Sequence, residues 1–252
     1  MLKISVITVC FNAEQYIEQT IQSVIGQKGC EFEYIIIDGA SMDKTKQIIQ
    51  RYETQVTHWV SEPDQGIADA MNKGVNLAAG EYLLFLHADD YLVNETVLAK
   101  AIGRIQVDAD IHAFDVLFKT KDKEVLKSTK SFGIRTYFKT PVMHQGAFCK
   151  KTLFEQLGGF NTSFKIAMDY DFFYKAFQHK ATMLIYTDLT VSVMRDTGVS
   201  SRQDWTSLKQ RFSEEKRVHL ENNTSTVIRI IYAVYWALYL PYRKMMFVVK
   251  SL

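Results

Sequence analysis

Residues 82–90 read Tyr82-Leu-Leu-Phe-Leu-His-Ala-Asp-Asp90, an apolar run of strand length that stops on an imidazole and two adjacent carboxylates. The same design recurs upstream. Apolar, β-branched runs at residues 4–9, 34–37 and 56–60 predict strands, and helix-period segments at 14–25, 44–52 and 67–79 fall between them. Gly80 stands where a helix-ending glycine is expected. Strands alternating with helices predict an α/β fold with a Rossmann-like, mostly parallel central sheet flanked by helices. Such sheets bind ligands beyond the carboxyl ends of their strands. Here those ends are Phe11-Asn12, Asp38-Gly-Ala-Ser-Met-Asp43, Ser61-Glu-Pro-Asp-Gln-Gly66 and His87-Ala-Asp-Asp90. Carboxylates gathered on one edge repel each other unless a cation or ligand donors sit among them. Asp43 can cap the helix that follows it. Capping does not explain adjacent Asp89 and Asp90, and a hard divalent cation with oxygen ligands does.

Composition narrows the class. The 252 residues are 47% hydrophobic and 23% charged, ordinary for a folded chain, which excludes disordered, collagenous and disulfide-scaffold classes. Cys10, Cys30 and Cys149 lack metal-ligand spacing and suit reduced thiols of a cytosolic protein. Charge divides unevenly: residues 1–201 hold 21 Lys/Arg against 24 Asp/Glu, and residues 202–252 hold 9 against 4. A mildly acidic body thus carries a basic tail, which suits an anionic surface. In the second half, helices are expected at 94–106, 151–157 (ended by Gly158-Gly159) and 168–177, and strands at 111–118, 143–148, 183–186 and 189–194. Residues 119–130 read as a charged hairpin or loop.

Several stretches, in order, resemble the large inverting glycosyltransferase family 2: Ser5-Val-Ile-Thr-Val-Cys-Phe-Asn12, Tyr34-Ile-Ile-Ile-Asp-Gly-Ala-Ser-Met-Asp43 and Phe85-Leu-His-Ala-Asp-Asp90. His144-Gln145 with Leu157-Gly-Gly-Phe160, and Ala167-Met-Asp-Tyr-Asp171, continue it. Ser61-Glu-Pro-Asp-Gln-Gly-Ile-Ala-Asp-Ala-Met-Asn-Lys-Gly74 looks like the version in bacterial exopolysaccharide and colanic-acid-type enzymes. The resemblance spans residues 3–201 and implies a GT-A fold, a nucleotide-sugar donor, commonly on UDP, and a divalent metal, Mn²⁺ or Mg²⁺. It divides the chain into a donor half, residues 1–100, an acceptor and catalytic half, 101–201, and a basic helical tail, 202–252.

By family position, Asp169 matches the general base and Asp89 the metal ligand. Asp38, Asp64, Asp69 and Asp90 fall in the donor site, and His144 in the acceptor region. Arg195 opens a loop, residues 195–201, that in relatives closes over the donor, where it could meet phosphate or form a surface ion pair. His87 replaces the first carboxylate of the usual Asp-x-Asp motif; it could ligate metal, donate to the sugar or simply pack. Asp69 could instead serve the helix dipole. Asn72 and Lys73 read as helix surface, and Asp171, two residues past the base, as a solvated or structural carboxylate.

Residues 230–240 are an unbroken apolar or aromatic run of eleven, short of the roughly 20 that span a bilayer. On a helix, Arg229, Arg243, Lys244 and Lys250 share one face, opposite a face rich in Ile, Trp236, Tyr and Phe247. That pattern predicts a helix lying in the membrane interface with its aromatics at headgroup depth, on the inner face of the cell membrane. Packing on the catalytic domain or on a second copy, as a homodimer, is the other expectation. The function implied is transfer of a sugar to a saccharide, lipid-linked acceptor in surface-polysaccharide assembly, with no nucleic acid involved. No Gly-x-Gly-x-x-Gly follows the first strand, which disfavours a dehydrogenase, and the chain holds no P-loop. A non-catalytic scaffold that keeps the fold, or a subunit that only binds nucleotide-sugar, is the rival from another class.

Overall fold

The computed structural model describes residues 3–198 and 201–250. Val199 and Ser200 of the 195–201 loop, both chain ends and the side chain of Lys250 lie outside the described residues. The first half runs β1 (Ile4–Cys10), α1 (Ile17–Ile25), β2 (Glu33–Asp38), α2 (Thr45–Gln50), β3 (His58–Ser61), α3 (Ile67–Leu77) and β4 (Tyr82–Phe85). The second half adds β5 (Tyr91–Leu92), α4 (Val97–Ile102), β6 (Ile111–Lys119), β7 (Glu124–Lys127), β8 (Ala147–Lys150), α5 (Lys151–Leu157), α6 (Met168–Gln178) and β9 (Met183–Arg195). Two helices, α7 (Trp205–Glu221) and α8 (Thr226–Lys250), complete the tail.

Sheet order is β3-β2-β1-β4-β8-β6-β9-β5, with β7 against β6. The four strands of the first half are parallel to one another. Beyond β4 the sheet is mixed: β8 is antiparallel to both β4 and β6, while β6 and β9 run parallel. Strand side chains alternate between faces, and the core divides by that parity. Ile4, Val6, Tyr34, Ile36, Tyr82 and Leu84 pack with α1, α2 and α4 on one face. Ile7, Val9, Ile35, Ile37, Leu83 and Phe85 pack with α3, α5 and α6 on the other. Helices on both faces are why these strands are apolar at nearly every position.

Gly80 is required for a different reason than helix ending. The helix α3 stops at Ala78 in an extended conformation. Gly80 lies against β1, where a Cβ would come within 2.6 Å of the Ser5 amide nitrogen. The strand expected over 143–148 divides into a tight turn, His144–Gly146, and β8. The two late strands form one, β9, with a register shift opposite Asp115.

The tail departs most from the sequence pattern. Trp236 and Tyr232 are buried with Leu208 and Phe212 in a separate core between α7 and α8. The Trp236 indole donates to His219 Nδ1 at 2.9 Å, and His219 Nε2 lies 2.7 Å from the Tyr170 hydroxyl, which donates to the Thr136 carbonyl. With Nδ1 accepting, the neutral ring carries its proton on Nε2. The Arg243 guanidinium lies over the Phe212 and Tyr239 rings rather than in solvent. The aromatic face is therefore the inward one. Most of the large hydrophobics that α8 exposes are aliphatic: Val227, Ile230, Ile231, Val234, Leu238 and Met245 are each more than half exposed, as is Tyr242. Among the described residues, no helix is long and apolar enough to cross a membrane.

Candidate functional site

The parallel strands release the chain on one edge, and the loops there are tied together by carboxylates. Asp38 is fully buried. Its oxygens accept from the Ser41 amide and hydroxyl and from Ser61 Oγ at 2.7 Å. It anchors the turn after β2, and nucleotide contact would require Ser41 or Ser61 to turn away. That turn holds Ala40 in the left-handed region at φ 61°, with Asn12 of the neighbouring loop at φ 49°. Strain of this kind gathers at ligand sites. Asp43 bonds the Thr45 and Glu14 amides at 2.9 and 3.0 Å. Although slight burial opposes it, those hydrogen bonds hold its carboxyl below the ordinary range. Asp43 thus ties the start of α2 to the loop after β1 rather than standing at the cap position, which Lys44 occupies.

Gly39 packs against the Asp64 carboxylate, which a Cβ there would push aside. Asp64 occupies the space that a second acidic side chain after Asp38 would fill. Phe11 flanks the same spot with its ring 59% exposed, a surface the sequence pattern did not single out. Asp64 and Asp69 each accept from the loop before α3, at Gly66 N (2.8 Å) and Gln65 N (3.1 Å). Lys73 and Asn72 are not idle helix surface. Lys73 bridges Glu62 at 2.8 Å, Asp69 at 3.7 Å and the Pro63 carbonyl at 2.9 Å. Its four-residue spacing from Asp69 was the available signal. Asn72 makes two 2.8 Å bonds to the Phe160 backbone, clamping α3 to the Gly158-Gly159 turn.

Asp90 is buried behind Asp89 and accepts from the Arg195 amide at 3.3 Å. Burial and then the Asp89 charge push its carboxyl well above the ordinary range, against the pull of Gln145 and Arg195. Asp89 is half-buried, and Oδ2 accepts from the Thr197 hydroxyl at 2.7 Å. Arg195 lies between the Tyr16 and Tyr91 rings, 5.0 and 4.6 Å from their centroids. Its guanidinium donates to the Asp89 carbonyl and to Gln19. It therefore braces the turn that carries Asp89.

Across the edge, His87 and His144 pack edge to face with ring centroids 4.8 Å apart. His144 Nδ1 is 3.5 Å from Asp169 Oδ2, and Asp169 Oδ1 accepts from the Tyr170 amide at 2.7 Å. His87 Nδ1 and His144 Nε2 are both buried without a partner. Asp169, at the opening of α6, is thus linked to the Asp89 turn through two imidazoles. Asp171 faces away from them and is buried, held by Lys175 and Asn222 at 2.7 Å each, so it is structural rather than solvated.

Among the described residues, no three or more His, Cys, Asp or Glu side chains close on a cation. The donor set fits a shared site instead. One Asp89 oxygen, with substrate phosphate and water, suits a hard cation such as Mg²⁺ or Mn²⁺. A cation there would also relieve the Asp89–Asp90 repulsion.

The profile described as Glycosyl transferase family 2 matches residues 5–177. The chain is 30% identical over 202 residues to the PGL/p-HBAD biosynthesis glycosyltransferase of Mycobacterium bovis BCG, covering 77% of each. Among solved structures, S. aureus TarS 1-349 in complex with UDP aligns at TM-score 0.67 and 20% identity, over 92% of this chain and 68% of that one. The mannosyltransferase PcManGT from Pyrobaculum calidifontis, in complex with GDP-Man and Mn²⁺, aligns at TM-score 0.68 and 19% identity, over 98% and 73%. The fold is GT-A, and the chain belongs to glycosyl transferase family 2.

Burial lowers the pKa of His87, and of His219 in the tail, to about 3. The unfolded chain protonates both near pH 6.5, whereas the folded chain resists until about pH 3. Stability should therefore fall as pH drops through that window, by about 1.4 kcal/mol per pH unit for each ring. Urea unfolding at pH 7 and pH 5 should show a fall that is smaller in His87→Asn by about one ring's share. An unchanged fall would mean that His87 is protonated in the folded protein.

Proposed function

We propose that the chain is an inverting glycosyltransferase moving one sugar from a nucleotide donor, with UDP the expected carrier, to a lipid-linked saccharide acceptor during surface-polysaccharide assembly. The observation that carries this reading is the His87–His144 pair, which brings Asp169 to the turn bearing Asp89. Residues 1–100 make the donor half and 101–201 the acceptor half. Phe11 offers a flat ring for the base, with Asp38 and Asp64 shaping the turns around it. Asp69, through Lys73, holds the loop before α3, and Asp90 with Arg195 fixes the Asp89 turn.

In the reaction, the acceptor hydroxyl attacks the anomeric carbon as the diphosphate leaves from the opposite face. Asp169 takes the hydroxyl proton, and His144 holds the carboxylate from the acceptor side. His87 and His144 line the sugar subsite, where their unpartnered ring nitrogens can meet its hydroxyls. A divalent cation held by Asp89 and the donor diphosphate would neutralise charge on the departing oxygens. Solved structures of the same fold, titled as complexes with UDP or with GDP-Man and Mn²⁺, support a nucleotide-sugar donor and such a cation.

The acceptor's lipid gives the tail its place. Besides its exposed aliphatic stripe, α8 exposes Arg229 and Lys244, and the helix contains no acidic residue. That combination fits an anionic bilayer surface, with the stripe lying at acyl depth and the cations among headgroups. The enzyme would then sit peripherally on the inner face of the cell membrane.

Thermal unfolding with UDP, GDP and dTDP, each with and without Mn²⁺, should show a Mn²⁺-dependent rise with one nucleotide. Ligand at a hundredfold excess over Kd adds about 2.7 kcal/mol. The rise should vanish in Asp89→Asn and survive in Asp169→Asn, which should lose about 10²–10⁴-fold in turnover. Nucleotide binding with no loss of turnover in Asp169→Asn would remove it as the base; binding without any turnover in the parent chain would favour a nucleotide-sugar-binding subunit. Separately, the protein should co-sediment with vesicles containing phosphatidylglycerol, and Val234→Glu with Leu238→Glu should release it. Vesicle-free dimers dissolved by the same changes would assign the stripe to a second copy instead.

A further inference from the structure

The residue chosen as base stands on a turn that the catalytic sheet does not hold. Residues 165–167 lead into α6, two positions before Asp169, and Ala167 at the helix start has no side chain to cap it. A single carboxylate oxygen from the tail takes over. Glu214 Oε2 on α7 accepts from the Lys165, Ile166 and Ala167 amides at 3.1, 2.8 and 3.0 Å. Glu214 is buried, 7% exposed. A buried carboxylate is costly to keep unless it is well bonded, and three charge-assisted amide bonds supply that. The same helix and the residue that ends it touch the two residues after Asp169 as well. His219 meets the Tyr170 hydroxyl at 2.7 Å, and the Asn222 side chain donates to Asp171 Oδ1 at 2.7 Å. Helix α7 thus holds the base-bearing turn from both sides of Asp169.

We infer that Glu214 is a positioning residue for transfer: by gathering the 165–167 amides, it sets where Asp169 faces the acceptor. This rests on the reading of Asp169 as the base. It also makes the tail part of the active centre, because the family match ends at residue 177 and α7 begins at Trp205. A base displaced by about 1 Å can cost on the order of 10²-fold in rate. Donor affinity has no such dependence, since Asp89 and the strand-end loops lie on the other side of the His87–His144 pair.

The test compares Glu214→Ala, Glu214→Gln and Asp169→Asn in the full chain, using the donor whose nucleotide binds in the thermal experiment. Glu214→Ala should lower kcat by about 10–100-fold while donor KM stays within about twofold and nucleotide binding stays at one per chain. Glu214→Gln keeps an oxygen for the three amides and should recover most of the turnover. Should Glu214→Ala not fold, Glu214→Asp, one methylene short of the amides, should give the same split. Parent-level kcat in Glu214→Ala, with Asp169→Asn inactive, would overturn the inference. So would a loss that only follows the nucleotide-binding fraction, which is what a purely structural role gives. Retained turnover in Asp169→Asn would instead sink the base assignment, whatever Glu214 does.

Discussion

Parallel pairing of β3, β2, β1 and β4 obliges four chain segments to leave the sheet on one edge. Everything at the site follows from that constraint. Acidic loops collect where the strands end, and most of their carboxylates are spent on backbone amides and hydroxyls. Asp38 binds Ser41 and Ser61, Asp43 binds Thr45, and Asp64 binds Gly66. These bonds turn mutual repulsion into loop rigidity. Asp89 and Asp90 are held more lightly, by the Thr197 hydroxyl and the Arg195 amide. One is buried and the other half-exposed, and neither meets a lysine or arginine side chain in an ion pair among the described residues. A charge left in that state suits a cation arriving with its own phosphate ligands.

A second constraint comes from the tail. α7 and α8 form a small aromatic core of their own, yet their polar groups reach back into the catalytic body. The relay from Trp236 through His219 to Tyr170, and the Glu214 clamp before α6, fix the turn that carries Asp169. The outer side of the same helix pair is the aliphatic stripe. One element therefore offers a surface outward and holds the Asp169 turn inward.

Much of this was legible in the residues. Strand positions, the two-sided core and the acidic edge followed from apolar runs and what stands at their ends, because strand periodicity and parallel topology are local and general. Asp89 and Asp169 could be singled out by motif. Their relation could not, because it runs through the ring contact of His87 with His144, residues 57 apart in the chain. The tail's inward and outward faces were reversed for a similar reason. A single amphipathic helix has no preferred side until a partner is known, and α7 is that partner, claiming the aromatics through His219. Glu214 left no local signal, since the amides it binds lie 47–49 residues away.

The proposed transfer is a single displacement, with Asp169 on one face of the sugar and the diphosphate on the other. The most direct measurement is the anomer first released when water replaces the acceptor, followed by ¹H NMR before mutarotation. An α-linked nucleotide sugar should release the β anomer, and Asp169→Asn should slow that release. Initial release of the α anomer would mean retention, by a second nucleophile or by front-face attack, and would contradict the mechanism.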